Sequence, residues 1–97
     1  MNRDLVPDDV SSDVLALIRL SRQAVREQDI MAVINALTRA VNVYEQHPTA
    51  VHEPTSHLRD LLVFIRSTRS ICKTLKRPDD DLRELEERAE ALRRPLH

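Results

Sequence analysis

The sequence predicts an all-α protein, a small antiparallel helical bundle of three long helices plus a shorter C-terminal helix. Apolar residues recur at steps of three and four through four separate segments. The chain of 97 residues contains no glycine, where roughly seven would be usual. Glycine supplies the positive φ of tight hairpin turns, so its absence argues against β-hairpins. Aromatic side chains are limited to Tyr44 and Phe64, which leaves the core to Leu, Val, Ile and Ala.

The length allows one domain over residues 1–97 with one core, since a chain of this size buries ~60–65% of its unfolded surface. Residues 1–9 read as a flexible N-terminus. The first helix covers 10–27, with Pro7 and the acids and serines around it as entry residues. Val10, Val14, Leu17, Ile18, Ser21, Ala24 and Val25 form its apolar stripe, with Arg19, Arg22 and Arg26 opposite. A short break at 27–29, capped by Asp29, opens a second helix over 30–46. Ile30, Val33, Ile34, Leu37, Val41 and Tyr44 line the inner face of that helix. So short a connection makes the two helices antiparallel neighbours.

A loop at 47–55 carries Pro48 and Pro54, and a third helix follows over 56–76. Leu58, Leu61, Leu62, Phe64, Ile65, Thr68, Ile71, Cys72 and Leu75 cover nearly half of its circumference. A stripe that wide touches two neighbours and makes this helix the centre of the bundle. Pro78 ends it, and an acidic start opens a fourth helix over 80–94, with Asp81 and Glu84 as a capping pair. Leu82, Leu85, Ala89, Leu92 and Leu96 follow heptad spacing, and Glu84 with Arg88 and Glu90 with Arg94 are spaced for i,i+4 ion pairs. The seam either closes the bundle or meets a partner.

Chemistry is hard to find along this chain. His47, His52 and His57 are five residues apart, a spacing that turns each about 140° from the last on a helix, and the prolines between them prevent one continuous helix. Only a loop folded to converge His52, Glu53 and His57 would hold an ion. The stretch reads as the connection between two helices. Cys72, the single cysteine, falls on an apolar face and reads as a small core residue. It admits no internal disulfide, which fits a reducing cytoplasm. The absence of glycine removes the phosphate loop and the dinucleotide fingerprint. No frame of paired carboxylates or activated nucleophile stands out, so neither enzymatic activity nor a cofactor is expected. No apolar run approaches the ~18 residues of a membrane span.

Charge is balanced, 15 bases against 16 acids, so nothing draws the chain as a whole toward nucleic acid or anionic lipid. Locally, residues 58–77 hold six bases against Asp60 alone, and Arg59, Arg66 and Lys73 form a line along one flank. That line is spaced to track a phosphate backbone. Residues 78–97 hold seven acids and four bases, enough to neutralise the line if the fourth helix folds back.

Leu17, Leu20, Ser21 and Ala24, followed by Ile30, Val33, Leu37 and Ala40, set large and small residues in an order that resembles one degenerate tetratricopeptide-like hairpin across residues 17–40. Gln28 stands where that family has its turn glycine, and aliphatic residues stand at its aromatic positions. The resemblance implies a concave helical surface for a peptide or another helix, as in small export chaperones and adaptors.

The functional expectation is a non-enzymatic protein–protein interaction module, an adaptor, chaperone-like or regulatory, acting through helix–helix contacts in the cytoplasm. Its partner would be another protein or a second copy, with no membrane and no small-molecule substrate. Leu15, Leu20, Met31, Val43 and Val63 are apolar residues beside or off the main stripes. Leu82, Leu85, Ala89 and Leu92, with Leu20 and Val63 behind them, are the expected contact residues. The alternative is a nucleic-acid-associated regulator using Arg59, Arg66 and Lys73.

Overall fold

The structure is a computed structural model that describes residues 7–94. It contains α1 (Pro7–Arg26), α2 (Ile30–Gln46), a 3-10 helix (Pro48–His52), α3 (Leu58–Thr74) and α4 (Asp80–Leu92). Among the described residues there is no strand. The all-α class is as expected, and several boundaries are not. α1 begins at Pro7, because proline at a first helical position lacks only an N–H that would have no partner there. Part of the expected flexible N-terminus is therefore helical, and residues 1–6, like Leu96 of the fourth-helix seam, lie outside the described residues.

Two helices end without glycine in the geometry that glycine normally serves. Gln28 has φ 59° and Lys76 has φ 58°. After α1, the Gln28 N–H donates to the Val25 carbonyl and the Asp29 N–H to the Ala24 carbonyl, at 3.0 and 2.9 Å. After α3, Lys76 and Arg77 donate in the same way to Lys73 and Cys72, at 3.1 and 2.8 Å. These are paired Schellman closures, which satisfy carbonyls that the helix end would leave open. Asp29 then caps α2, its carboxylate accepting from the Ala32 N–H at 3.1 Å.

The expected loop at 47–55 is part of the core. Ala50 and Val51, carried by the 3-10 helix, are buried. α3 begins two residues later than expected, with His57 at the cap position and making no side-chain cap bond. Its start is fixed from α2: the His57 N–H donates to the hydroxyl oxygen of Tyr44 at 2.7 Å, and Ser56 Oγ donates to the same atom at 3.4 Å. Ser56 Oγ in turn accepts from the Leu58 N–H at 3.2 Å. Tyr44 is wholly buried, and its polar tip ties the far end of α2 to the start of α3. Ser11 Oγ, donating to the Thr55 carbonyl at 2.7 Å, anchors the same connection to α1.

α1 lies along α2, and α4 packs against both α3 and α2, while α3 approaches α2 closely at only a few places. The centre of the bundle is therefore α2, with Val33, Ala36, Leu37, Ala40, Val41 and Tyr44 buried, and not α3 as the width of its stripe suggested. The Cα envelope is 45 × 30 × 17 Å. Helix axes 8–10 Å apart fill a 17 Å dimension with two layers, so every helix keeps an outward face. Ser21 and Thr68 are buried hydroxyls, and each donates to its own helix, to the Ile18 and Phe64 carbonyls.

The seam of α4 is taken up inside the chain. Leu82, Leu85 and Ala89 are buried in the common core and Leu92 packs half-buried against it. The expectation that these four residues meet a partner is thus corrected. Two heptads too short to stand alone gain far more by covering α2 and α3 than by waiting for a second molecule.

Candidate interaction surface

The charged residues come first, because they show which cations remain available. Arg66, central in the expected basic line, is bound to Glu86 at 3.0 Å and to Glu90, both on α4. Arg69 holds Glu86 at 2.6 Å and Asp79 at 3.1 Å. Arg88 reaches across to α2, gripping both oxygens of Glu45 at 2.5 and 3.0 Å and Asn42 at 2.7 Å. The expected pairs Glu84–Arg88 and Glu90–Arg94 do not form; Glu90 instead serves Arg66 and Arg93. Fork-shaped guanidinium groups bind across helices here because the two-point geometry outweighs proximity along one helix.

The network leaves its mark on proton affinity. The Arg88 hydrogen bond holds the Glu45 carboxyl below its usual value, and the Arg69 hydrogen bond does the same for Asp79. Burial pushes Glu86 up, but hydrogen bonds from Arg69 and Arg66 outweigh it and leave this carboxyl lowered too. Hydrogen bonds from Glu86 and Glu45 raise Arg69 and Arg88 further. Asp79 occupies the cap position of α4 without making a side-chain cap bond, so the expected Asp81–Glu84 capping pair is replaced by a carboxylate turned toward Arg69.

With Arg66 bound to α4, the line of Arg59, Arg66 and Lys73 is interrupted at its middle. Arg59 and Lys73 are exposed and, among the described residues, form no ion pair closer than 4 Å. Histidines do not gather either. His52 is exposed, His47 closes α2, and His57 has Asp60 at 3.7 Å as its neighbour. Among the described residues no group of three or more His, Cys, Asp or Glu side chains could hold a metal ion. Cys72 is wholly buried and free.

Apolar exposure is where the structure is most informative. Leu20 is 51% exposed, Val63 55% and Met31 74%, as expected for contact candidates, while Leu15 and Val43 are half-buried. Two further residues, Ile71 at 36% and Leu75 at 55%, are exposed although the sequence places them in the buried stripe of α3. They stand one turn apart at the end of α3 where α1 and α2 do not close over them. A cleft of about 460 Å³ is lined there by Val25, Gln28, Ile30, Thr68, Ile71, Leu75 and Arg77. A second, shallower recess of about 370 Å³ shares Ile71 and Leu75 and continues over Ser67, Ser70 and Thr74. The signal for this in the sequence is the width of the stripe itself, which exceeds what the available neighbours can cover.

Val63 belongs to another recess at the opposite end of α3, about 550 Å³, where Arg59, Arg66 and Arg93 stand over Val51, Leu58 and Leu62. Leu20 and Met31 line neither recess of α3. Of the hairpin pattern at residues 17–40, Ser21 and Ala40 are wholly buried where α1 meets α2, whereas Leu20 points outward. No helix among the described residues is long and apolar enough to cross a membrane. Comparison with protein-family models, with curated proteins and with solved structures returns no match.

Proposed function

We propose that this chain is a non-enzymatic protein–protein interaction module, an adaptor with a chaperone-like or regulatory role, working through helix–helix contacts. The observation that carries the reading is the uncovered apolar surface at Ile71 and Leu75, in a bundle whose other stripes are closed. Contiguous apolar exposure on a small domain favours association, because covering it recovers about 25 cal/mol per Å² removed from water. The charge network supports the same reading by a different route: Arg66, at the middle of the basic line, and Arg69 beside it are joined to the acids of α4. A single free, buried cysteine fits a reducing compartment, and we place the protein in the cytoplasm.

The test is capture and calorimetry with the full chain as bait. The reading expects a protein to be retained in stoichiometric amount, to survive a wash at about 0.5 M salt where exposed charges are screened, and to bind with a negative heat-capacity change. A strictly monomeric chain that retains no protein would overturn the reading. Retention of nucleic acid that is lost steeply with salt would favour the alternative regulator.

A further inference from the structure

We infer that the turn between α3 and α4 is a hinge, and that this chain pairs with a second copy of itself by exchanging α4. This rests on the interaction-module reading and deepens it by naming the partner. Lys76, in the middle of the turn, holds φ 58° with a full side chain, a conformation that a Cβ disfavours. Residues 73–78 are all exposed, so no core contact pins the turn. It is held by its own backbone, the Lys76 and Arg77 N–H groups donating to Lys73 and Cys72, and by Asp79 bound to Arg69. Opening the turn releases the strain at Lys76 in both copies, and short hinges under strain favour exchange.

α4 is the segment suited to exchange. It is 13 residues long and buries Leu82, Leu85 and Ala89, whereas the 20 residues of α1 bury Val10, Val14, Ile18, Ser21 and Ala24. The rest of its hold is polar, Arg66 and Arg69 on Glu86 and Arg88 on Glu45. Each of these contacts joins α4 to α2 or α3, so all of them re-form when α4 packs on the α2 and α3 of a second copy. What exchange must meet is the association itself and the opening of the hinge. Residues 75–79, extended, span at most ~17 Å, more than the roughly 8–10 Å between packed helix axes, so α4 reaches a neighbouring bundle.

The uncovered apolar residues lie where the second copy arrives. In a two-fold exchange the hinges run past one another beside the axis, and the residues next to each hinge meet their own counterparts. Those residues are Ile71 and Leu75, exposed at the end of α3. Charge does not oppose the meeting. Lys73, Lys76 and Arg77 precede Pro78, and Asp79, Asp80 and Asp81 follow it. Two hinges side by side therefore carry no net charge to repel them.

The test mixes two charge-reversed full chains, Arg88→Glu and Glu45→Arg. The two side chains are 31% and 37% exposed, so each variant should keep its helical spectrum while setting like charges between α4 and α2. Exchange within a mixture pairs opposite charges at both crossings, and a dimer without exchange pairs none. Refolded together and weighed by native mass spectrometry, the two chains should give roughly tenfold or more heterodimer over either homodimer. In the parent, Lys76→Gly should lower the dimer fraction. Deleting Arg77 and Pro78 leaves too short a turn for α4 to fold back and should give a folded dimer alone; this chain decides the question if a charge-reversed one fails to fold. Statistical mixing of the two reversed chains overturns the exchange and leaves the interaction-module reading intact. So does a chain that stays monomeric yet captures another protein. The proposal is equally overturned if Lys76→Gly dimerises as the parent does, or if the chain lacking Arg77 and Pro78 is monomeric.

Discussion

Tyr44→Phe removes one oxygen atom from a buried site and leaves the rest of the side chain in place. The ring of Tyr44 is wholly buried and Phe fills the same volume, so no cavity term arises. What is lost is the acceptor for the His57 N–H, bound at 2.7 Å, and for Ser56 Oγ. A buried donor stripped of its acceptor costs about 1–3 kcal/mol. His57 is only partly buried and water can replace part of the bond, so the lower half of that range applies, about 1.5 kcal/mol. In a domain of this size 1 kcal/mol moves the melting temperature by roughly 4–8 °C, which gives a fall of about 6–12 °C. Scanning calorimetry measures it, and amide hydrogen exchange at His57 and Leu58 locates it, since protection should fall there before it falls in α1. A Tyr44→Phe chain that melts with the parent and keeps its His57 protection would refute the idea that this hydroxyl holds the start of α3.

The two left-handed helix closures predict gain rather than loss. Gln28→Gly and Lys76→Gly each relieve a conformation that costs a side-chain-bearing residue roughly 1 kcal/mol, so each should raise the melting temperature by several degrees in a calorimetric scan; a fall for both would contradict the Schellman assignment. Acid should loosen the fold through Glu45, Asp79 and Glu86. Their carboxyls are lowered in the folded state, so the stability they supply is complete above the ordinary carboxylate range near pH 4 and is lost as pH falls through the lowered values. Melting temperature should therefore be level from about pH 7 to 5 and drop below pH 4, with the drop reduced in Glu86→Gln. Melting that is indifferent to pH between about 5 and 3 would count against the network.

The helical class and the α1–α2 hairpin were legible because their signals are local. Period, the break at residues 27–29 and the cap at Asp29 lie within a few positions of one another. What escaped depends on contacts between residues far apart in sequence. Nothing near Tyr44 indicates that its hydroxyl meets a backbone N–H thirteen residues later. Glu84 looked like the natural partner of Arg88, yet Glu45, 43 residues distant, takes it. The charge balance between residues 58–77 and 78–97 did foreshadow the clasp of α3 by α4, and with it the closing of the Leu82–Leu85–Ala89 seam. Ile71 and Leu75 were misplaced because a stripe records which residues are apolar, not which neighbour arrives to cover them. Their exposure follows from the two-layer packing, in which α3 leans on α4 and meets α2 sparingly.

The central claim is that α4 completes the bundle and leaves Ile71 and Leu75 of the α3 stripe uncovered. A pair of thermal melts tests it most directly, comparing Leu85→Ser with Leu75→Ser in the full chain. Leu85 is buried in the core and Leu75 is half in water. A core leucine replaced by a small polar residue costs about 3–5 kcal/mol, a large part of the roughly 5–10 kcal/mol available to a domain of this length. An exposed leucine costs about 0.5 kcal/mol or less. The account predicts that Leu85→Ser melts at least ~12 °C lower or fails to fold, while Leu75→Ser melts within a few degrees of the parent. Equal melting of Leu85→Ser and the parent would contradict it.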